Sequence, residues 1–530
     1  MEVRAGTQSA ERRSSLPHGL LEMKRIERLL VLGGGSAGFI AAITLKTKLP
    51  HLPIRVIRSR EIGIIGVGES TTPYTPDHLH GYLRIDLAEF HREVQPSWKL
   101  GIKFLWGERP HFNYTFNPQT DSQFQQLRKT TGYYFGNGAF PMADIASALM
   151  EQNKGFLRQE GNIPYIGRDV AYHLENVTFV AYLERVARRL GIEVVDDKVV
   201  DVVQDESGVR ELRLESGNTE SADLYIDCSG FRSVLLGKAF AEPFVSFKST
   251  LLCNRAVIGG WKRGPDEPIL PYTTAETMNA GWCWRIDHEH LINRGYVFSS
   301  DFLSDEEAER EFRAKNPRVD ETKFIHFVSG RYVRPWVKNV VAIGNSSGFV
   351  EPLESTAIVM ICGACQALTE SLVDCDRVPN PALVQQFNQR NSRGWDALRA
   401  FLAVHYRFNT RLQTPFWKAC CAEVDLAGAE PVVDYYRQNG PSVLWKDTLI
   451  DTYDQFKLDG YYILLLGQMV PHERTYQASE SERDIWQRIQ AAYLKKAQEA
   501  FRIEDVFPII RSPHWQWNQD FYTGARRSNA

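Results

Sequence analysis

The sequence has 530 residues, 43% apolar and 24% charged, with a formal net charge of −3 at pH 7. That length exceeds what one compact core accommodates and predicts two or three packed subdomains. The near balance of charge excludes the basic footprint of a nucleic-acid binder and a polybasic patch for a membrane surface.

Residues 1–22 are polar and Arg-rich, lack the apolar centre of a signal peptide and read as a disordered extension, with Met23 as a second possible start. The longest apolar runs, such as Tyr461–Gly467, are too short to span a bilayer, so the expected location is cytoplasmic. Leu29–Leu32 is continuously apolar, as in a strand buried on both faces. Gly33, Gly34, Gly35, Ser36, Ala37 and Gly38 follow, then a helical stretch to Leu49 and a second strand at Ile54–Ile57. This strand–loop–helix context is the one a dinucleotide fingerprint needs. Gly33 permits the turn, Gly35 lets backbone approach a pyrophosphate, and Gly38 allows the helix to pack on the strand. The helix N-terminus then offers N–H groups to phosphate. Arg58 stands where an acid that grips ribose hydroxyls is expected, which leaves the dinucleotide open and admits NADP.

Strand-like runs recur at Glu193–Val195, Val199–Val203, Leu224–Asp227 and Val340–Ile343, so residues 23–380 read as a discontinuous cofactor module interrupted by inserted segments. Residues 381–530 read as a mainly helical, aromatic-rich region. Eight cysteines scattered through so long a chain do not form a disulfide framework. Cys362 and Cys365 have redox-motif spacing but read as small buried residues of a helix. His288 and His290 lack a nearby third ligand, so no metal site is expected.

Further segments carry a resemblance. They are Ile65-Gly66-Val67-Gly68-Glu69-Ser70-Thr71-Thr72-Pro73, Lys99 in Trp98-Lys99-Leu100-Gly101, Ile226-Asp227-Cys228-Ser229-Gly230, and Gly281-Trp282-Cys283-Trp284-Arg285-Ile286. Gly344-Asn345-Ser346-Ser347-Gly348 continues through Glu351-Pro352-Leu353-Glu354-Ser355-Thr356, and Thr414-Pro415-Phe416-Trp417 comes later. From Arg28 to about Met469 the chain resembles the flavin-dependent halogenases of the tryptophan-halogenase type. The resemblance implies an α/β fold: an FAD-binding Rossmann-like module of glutathione-reductase type with inserted segments, and a mainly helical C-terminal region contributing to the substrate site.

It implies FAD, used as FADH2, held by the glycine loop together with Arg58, Glu69, Ser70, Val199, Asn345 and Ile358. Halide and oxygen would give hypohalous acid, which travels to a separate substrate site. By match of motif, Lys99 would hold or capture the halogen there and Glu354, with Ser355 beside it, would assist substitution on an electron-rich ring. An ammonium can donate a hydrogen bond to hypohalous acid and a neutral amine can form a haloamine, while a carboxylate stabilises a cationic ring and accepts its proton. Without the resemblance, Lys99 reads as a surface lysine and Glu354 as a capping acid at a helix starting at Ser355-Thr356.

Trp282 and Trp284, two apart, would share a strand face in a box near the flavin; Asp287 stands where the family pattern has proline. Thr356 and Ala357 take the place of the halide-binding Thr-Gly pair. Tyr114 and Phe116 fall at one wall of the expected arene site and Phe456 near the opposite wall. Because Val443–Gly460 departs from the part that grips free tryptophan, the expected substrate is an indole or phenol-type arene rather than the free amino acid. The expected partners are a separate NAD(P)H-dependent flavin reductase, a halide ion and the small aromatic substrate, and a homodimer is the assembly implied. The competing readings are a flavin-dependent aromatic monooxygenase, an NADP-dependent reductase and a non-catalytic flavin-binding protein.

Overall fold

The computed structural model describes residues 24–63, 68–135, 142–518 and 521–522. The 1–22 extension and Ile65–Val67 of the Gly-Val-Gly-Glu box lie outside the described residues. Leu29–Leu32 is buried at all four positions and forms a central strand of a six-stranded sheet. From edge to edge the strands are Glu193–Asp196, Ile54–Arg58, Leu29–Leu32, Leu224–Asp227, Val340–Ala342 and Trp336–Val337. All neighbours are parallel except the last pair, so the module brings together strands more than 300 residues apart in sequence. Strands buried on both faces must be apolar throughout, which is why they were legible as runs rather than as alternation.

The strand expected at Val199–Val203 is present as Val199–Asp205. Val199–Asp205 leaves this sheet and pairs antiparallel with Gly208–Leu214 in a separate three-stranded sheet. Val199, Val202 and Val203 are half-buried and its other residues exposed, with shifts of register between Val199 and Asp201 and between Val203 and Gln204 breaking a regular alternation.

The inserted segments build a seven-stranded sheet in the order Lys323–His326, Arg255–Lys262, Leu291–Phe298, Gly281–Asp287, Tyr272–Met278, Gly101–Leu105 and Phe112–Thr115. A smaller sheet places Ala171–Leu174 between Glu69–Ser70 and Ser97–Lys99. The middle strand is what brings Ser70 and Lys99 together.

Among the described residues beyond 380 the regular elements are all helices. Asn380 caps Pro381–Arg407 by accepting from the Leu383 N–H, and Thr414 caps Pro415–Glu423 through the Trp417 N–H. Lys457–Gly467 is buried along most of its length and lies on the strand Phe112–Thr115. Gly460 and Gly467 face Tyr114 and Phe112 with no room for a methyl group. Phe401, Tyr462 and their neighbours share one apolar cluster with Trp282 and Trp284, so helices and large sheet enclose a common interior.

The absence of a bilayer-length apolar run is corrected. Helix Ala357–Asp374 has 18 residues with mean hydropathy 1.4, long and apolar enough to cross a membrane by length and composition. Gly363, Thr369, Glu370 and Ser371 break the run in sequence, which is why it escapes notice. Half of it is buried in the protein, and it packs against Ser36–Lys48, so its apolar face is already covered. Cys362 and Cys365 belong to that covered face, where burial raises both thiol pKa values and keeps them protonated.

Candidate functional site

The glycine loop has the geometry of a phosphate cradle. Gly33 has φ +127°, a conformation side chains avoid, and a Cβ there would lie 2.2 Å from the Cys228 carbonyl oxygen. A Cβ on Gly38 would lie 1.9 Å from the Gly33 carbonyl oxygen. Gly35, the N-cap of helix Ser36–Lys48, meets nothing within 4 Å, and no side chain caps the helix. Its first N–H groups therefore face open space beside a positive helix end, which fits a pyrophosphate. The turn Gly344–Ser346 closes against this loop, since a Cβ on Gly344 would lie 3.1 Å from that of Ala37. Gly38→Val is expected to remove flavin binding, at least about tenfold in affinity, because helix and loop can no longer touch. Flavin fluorescence titration measures it.

Arg58 lies against Gly34 and pairs with Glu184 at 3.0 Å. With its charge already matched, the reason for a 2′-phosphate ligand disappears. Glu69 accepts from Asn176 (3.3 Å), which accepts from Ser36 of the loop (3.4 Å); burial raises the Glu69 pKa to about 7. Val199 is half-buried beside Leu214, Asn345 sits in the turn facing the loop, and Ile358 is buried in the first turn of Ala357–Asp374.

Lys99 is fully buried, not at the surface. Its Nζ donates to the Thr71 carbonyl oxygen (3.0 Å) and to Ser355 Oγ (2.8 Å), and lies 5.3 Å from the centre of the Phe116 ring. Desolvation lowers its pKa from 10.5 to about 7, and Glu354 opposes that shift. Two of its N–H bonds are committed, leaving one further position on nitrogen.

Glu354 is not a helix cap. It ends the short turn Pro352–Glu354, Ser355 follows with φ +59°, and the helix starts at Ala357 with Thr356 as an N-cap lacking a side-chain bond. The left-handed Ser355 reverses the chain sharply enough to keep Glu354 and Ser355 both buried. Burial raises the Glu354 pKa, while His405 and Lys99 oppose it.

His405 was missed by sequence reasoning. Its Nε2 lies 2.6 Å from Glu354 Oε1 and its Nδ1 3.1 Å from the Phe401 carbonyl oxygen. A carbonyl only accepts, so Nδ1 carries hydrogen, and the 2.6 Å contact then requires one further proton between Nε2 and Oε1. Glu354 and His405 thus form a proton-holding dyad. The only sequence signal was a polar ring within the apolar stretch Phe401–Tyr406, which must find a partner when buried.

Trp282 and Trp284 do share a face, with ring centres 6.0 Å apart. Trp282 Nε1 donates to Glu351 (2.8 Å), which also accepts from Tyr406; burial raises the Glu351 pKa to about 7. Asp287, the departure in this box, is buried and ion-paired with Arg263 and Arg285, so its charge is compensated. Tyr114 lies 6.0 Å from Phe401, and Phe456 stacks on Phe401 at 3.6 Å. One face of Phe456 is therefore covered by Phe401, and these rings form one aromatic group. Among the described residues, no group of His, Cys, Asp and Glu could hold a metal ion.

The profile of the tryptophan halogenase family matches residues 28–482. Tryptophan 7-halogenase RebH of Lentzea aerocolonigenes is 33% identical over 445 residues, covering 78% of this chain and 82% of the relative. Tryptophan 6-halogenase ThaL of Streptomyces albogriseolus is 33% identical over 450 residues, covering 79% and 83%. The crystal structure of MibH, a lathipeptide tryptophan 5-halogenase, superposes with a TM-score of 0.83 at 37% identity, covering 92% of this chain and 94% of that one. BrvH, a flavin-dependent halogenase from Brevundimonas sp. BAL3, gives 0.80 at 25% identity, covering 92% and 100%. With a family profile spanning most of its length, this chain belongs to the tryptophan halogenase family and is a flavin-dependent halogenase.

Proposed function

We propose that the protein uses FAD as FADH2 and that Lys99 and Glu354 direct the halogen onto an electron-rich indole or phenol-type arene. The observation that carries this reading is a fully buried lysine with two N–H bonds fixed, beside an aromatic ring and electrostatically coupled to the Glu354–His405 dyad. The glycine loop, Arg58, Glu69, Ser70, Val199, Asn345 and Ile358 hold the cofactor. When bound, reduced flavin with oxygen supplies the oxidising power that converts halide to hypohalous acid.

Halide is held by backbone N–H groups at Thr356 and Ala357, where the helix start leaves donors without intrahelical partners. Ala357 keeps the N–H that glycine would offer. The neutral Lys99 amine attacks hypohalous acid, forming N–X and releasing water. The arene then takes X from nitrogen, its ring proton passes to Glu354, and one proton returns from the Glu354–His405 dyad to the Lys99 nitrogen, which restores the amine. Tyr114, Phe116 and Phe456 supply the arene's surroundings, and the Trp282/Trp284 box stands with Glu351 toward the flavin side. The cofactor module extends over 23–380, and residues 381–530 contribute His405, Phe401 and Phe456 to the substrate side. Similarity to MibH supports a substrate that presents its indole within something larger than free tryptophan. The working assembly is a cytoplasmic homodimer served by a separate NAD(P)H-dependent flavin reductase.

With the Lys99 pKa near 7, halogen transfer through the neutral amine is expected to rise with pH through about 7 and level off above it. Single-turnover product formation against pH checks this; a rate that falls above pH 7 would assign the work to the ammonium form instead. The function itself is tested with FAD, flavin reductase, NADH, bromide and indole. Bromoindole by mass spectrometry is the expected product. An oxygenated arene in its place would favour a monooxygenase, and saturable single-isomer turnover of free tryptophan would overturn the substrate assignment.

A further inference from the structure

Behind Lys99 lies a continuous row of buried and half-buried polar groups that starts at Ser355 and Ser70 and whose far members, Thr273 and His173, the halogen chemistry above does not use. Ser355 Oγ lies 2.9 Å from Ser70 Oγ, Ser70 Oγ 2.7 Å from Thr273 Oγ1, and Thr273 Oγ1 2.8 Å from His173 Nε2. His173 Nδ1 in turn lies 3.2 Å from the Asp287 carbonyl oxygen, which Ser97 Oγ also engages. His173 is fully buried and Thr273 nearly so, on adjoining sheets far apart in sequence.

The direction of every bond follows from the far end. The Asp287 carbonyl only accepts, so His173 Nδ1 carries hydrogen and, in the neutral ring, Nε2 accepts. Thr273 must then donate to His173 and accept from Ser70. Ser70 accepts from Ser355, and Ser355, its hydrogen spent, accepts from Lys99. The row is one-way.

We propose that His173 is a positioning residue for halogen transfer, acting through Thr273, Ser70 and Ser355 to keep the Ser355 hydroxyl turned away from the Lys99 nitrogen. The proposal rests on Lys99 carrying the halogen. With Ser355 accepting and Thr71 accepting, a neutral Lys99 has both N–H bonds engaged and its lone pair free for hypohalous acid. If the row is interrupted, Ser70 no longer has to donate onward and can donate back to Ser355. Ser355 then donates to the Lys99 lone pair, which blocks the nucleophile and stabilises the neutral amine. Burial keeps His173 neutral, with Lys99, His288 and Arg263 as the positive or ionisable groups around it. Asp287 is paired with Arg263 and Arg285, and Glu354 faces Lys99 from the other side. Lys99, lowered to about 7, and Glu69, next to Ser70 and raised by burial to about 7, are the groups beside the row that titrate near neutral pH.

The test is Thr273→Val, which keeps the side-chain shape and removes the hydroxyl, with Thr273→Ser as the conservative rescue. Thr273→Val is expected to lower single-turnover kcat about tenfold with KM unchanged, the size of one lost hydrogen bond, and to move the acid limb of the pH profile to lower pH. Thr273→Ser should restore both. His173→Phe should reproduce the Thr273→Val phenotype, and the double variant should be no worse than either single one, because both cut the same row. Flavin fluorescence and the melting curve confirm folded protein; if Thr273→Val does not fold, His173→Phe with the same pH profile decides. Wild-type kcat and an unmoved acid limb, or additive effects in the double variant, would overturn the proposal. An active Lys99→Ala would instead remove the reading on which it rests, so the two failures are distinguishable.

Discussion

Lys99→Ala is expected to lose halogenated product by on the order of 10³-fold or more while binding flavin as before. The hydrogen bonds of its nitrogen go to Thr71 and Ser355, not to the glycine loop. Removing it eliminates a nucleophile that can take halogen from hypohalous acid and present it beside Phe116. Burial is what makes this lysine suited to the task. An exposed amine near pKa 10.5 is almost wholly ammonium at neutral pH, whereas one near 7 is about half neutral. Lys99→Arg should fail as well, since guanidinium stays charged and has no lone pair to offer. Product mass after flavin titration of each variant measures both.

Glu354→Gln carries the second-largest expected effect, a loss of about 10²-fold in product formation. Glutamine has nearly the same shape but neither ionises nor takes the ring proton. It also dissolves the dyad, because the proton held between Oε1 and His405 Nε2 exists only while one partner can give it up. The same substitution has a second, signed consequence. Glu354 raises the Lys99 pKa against desolvation, so its loss lets that pKa fall further and moves the acid limb of the pH profile to lower pH. Reduced turnover with an acid limb shifted toward higher pH would contradict the assigned electrostatics.

Legibility in sequence tracked how local the physics was. Leu29–Leu32, the glycine loop and Leu224–Asp227 were readable because a strand buried on both faces must be apolar throughout and a phosphate turn demands glycine. Val199–Asp205 was readable as a strand, but its place in a separate three-stranded sheet was not, because a short valine-rich run marks a strand without naming its partner. The seven-stranded sheet went unread as a sheet, although Gly281–Asp287, which contains one of the quoted boxes, and Leu291–Phe298 are neighbouring antiparallel strands within it. At the candidate site, motif boxes marked Lys99, Glu354 and Ser355. Their partners carried no such mark. His405 sits 51 residues from Glu354 and His173 100 from Thr273, so only the folded sheets and the long helix bring them into contact. Asp287 shows the converse: it departs from the family pattern, and Arg263 and Arg285 explain in the fold how its charge is borne.

The central claim is that halide oxidation and halogen delivery are separate, with Lys99 serving only the second. The most direct measurement runs wild type and Lys99→Ala side by side with FAD, flavin reductase, NADH and bromide, supplying either indole or a small diketone that traps free hypobromous acid. Lys99→Ala should still brominate the trap at close to the wild-type rate of flavin turnover and give no bromoindole. Bromoindole from Lys99→Ala at the wild-type rate would contradict the claim.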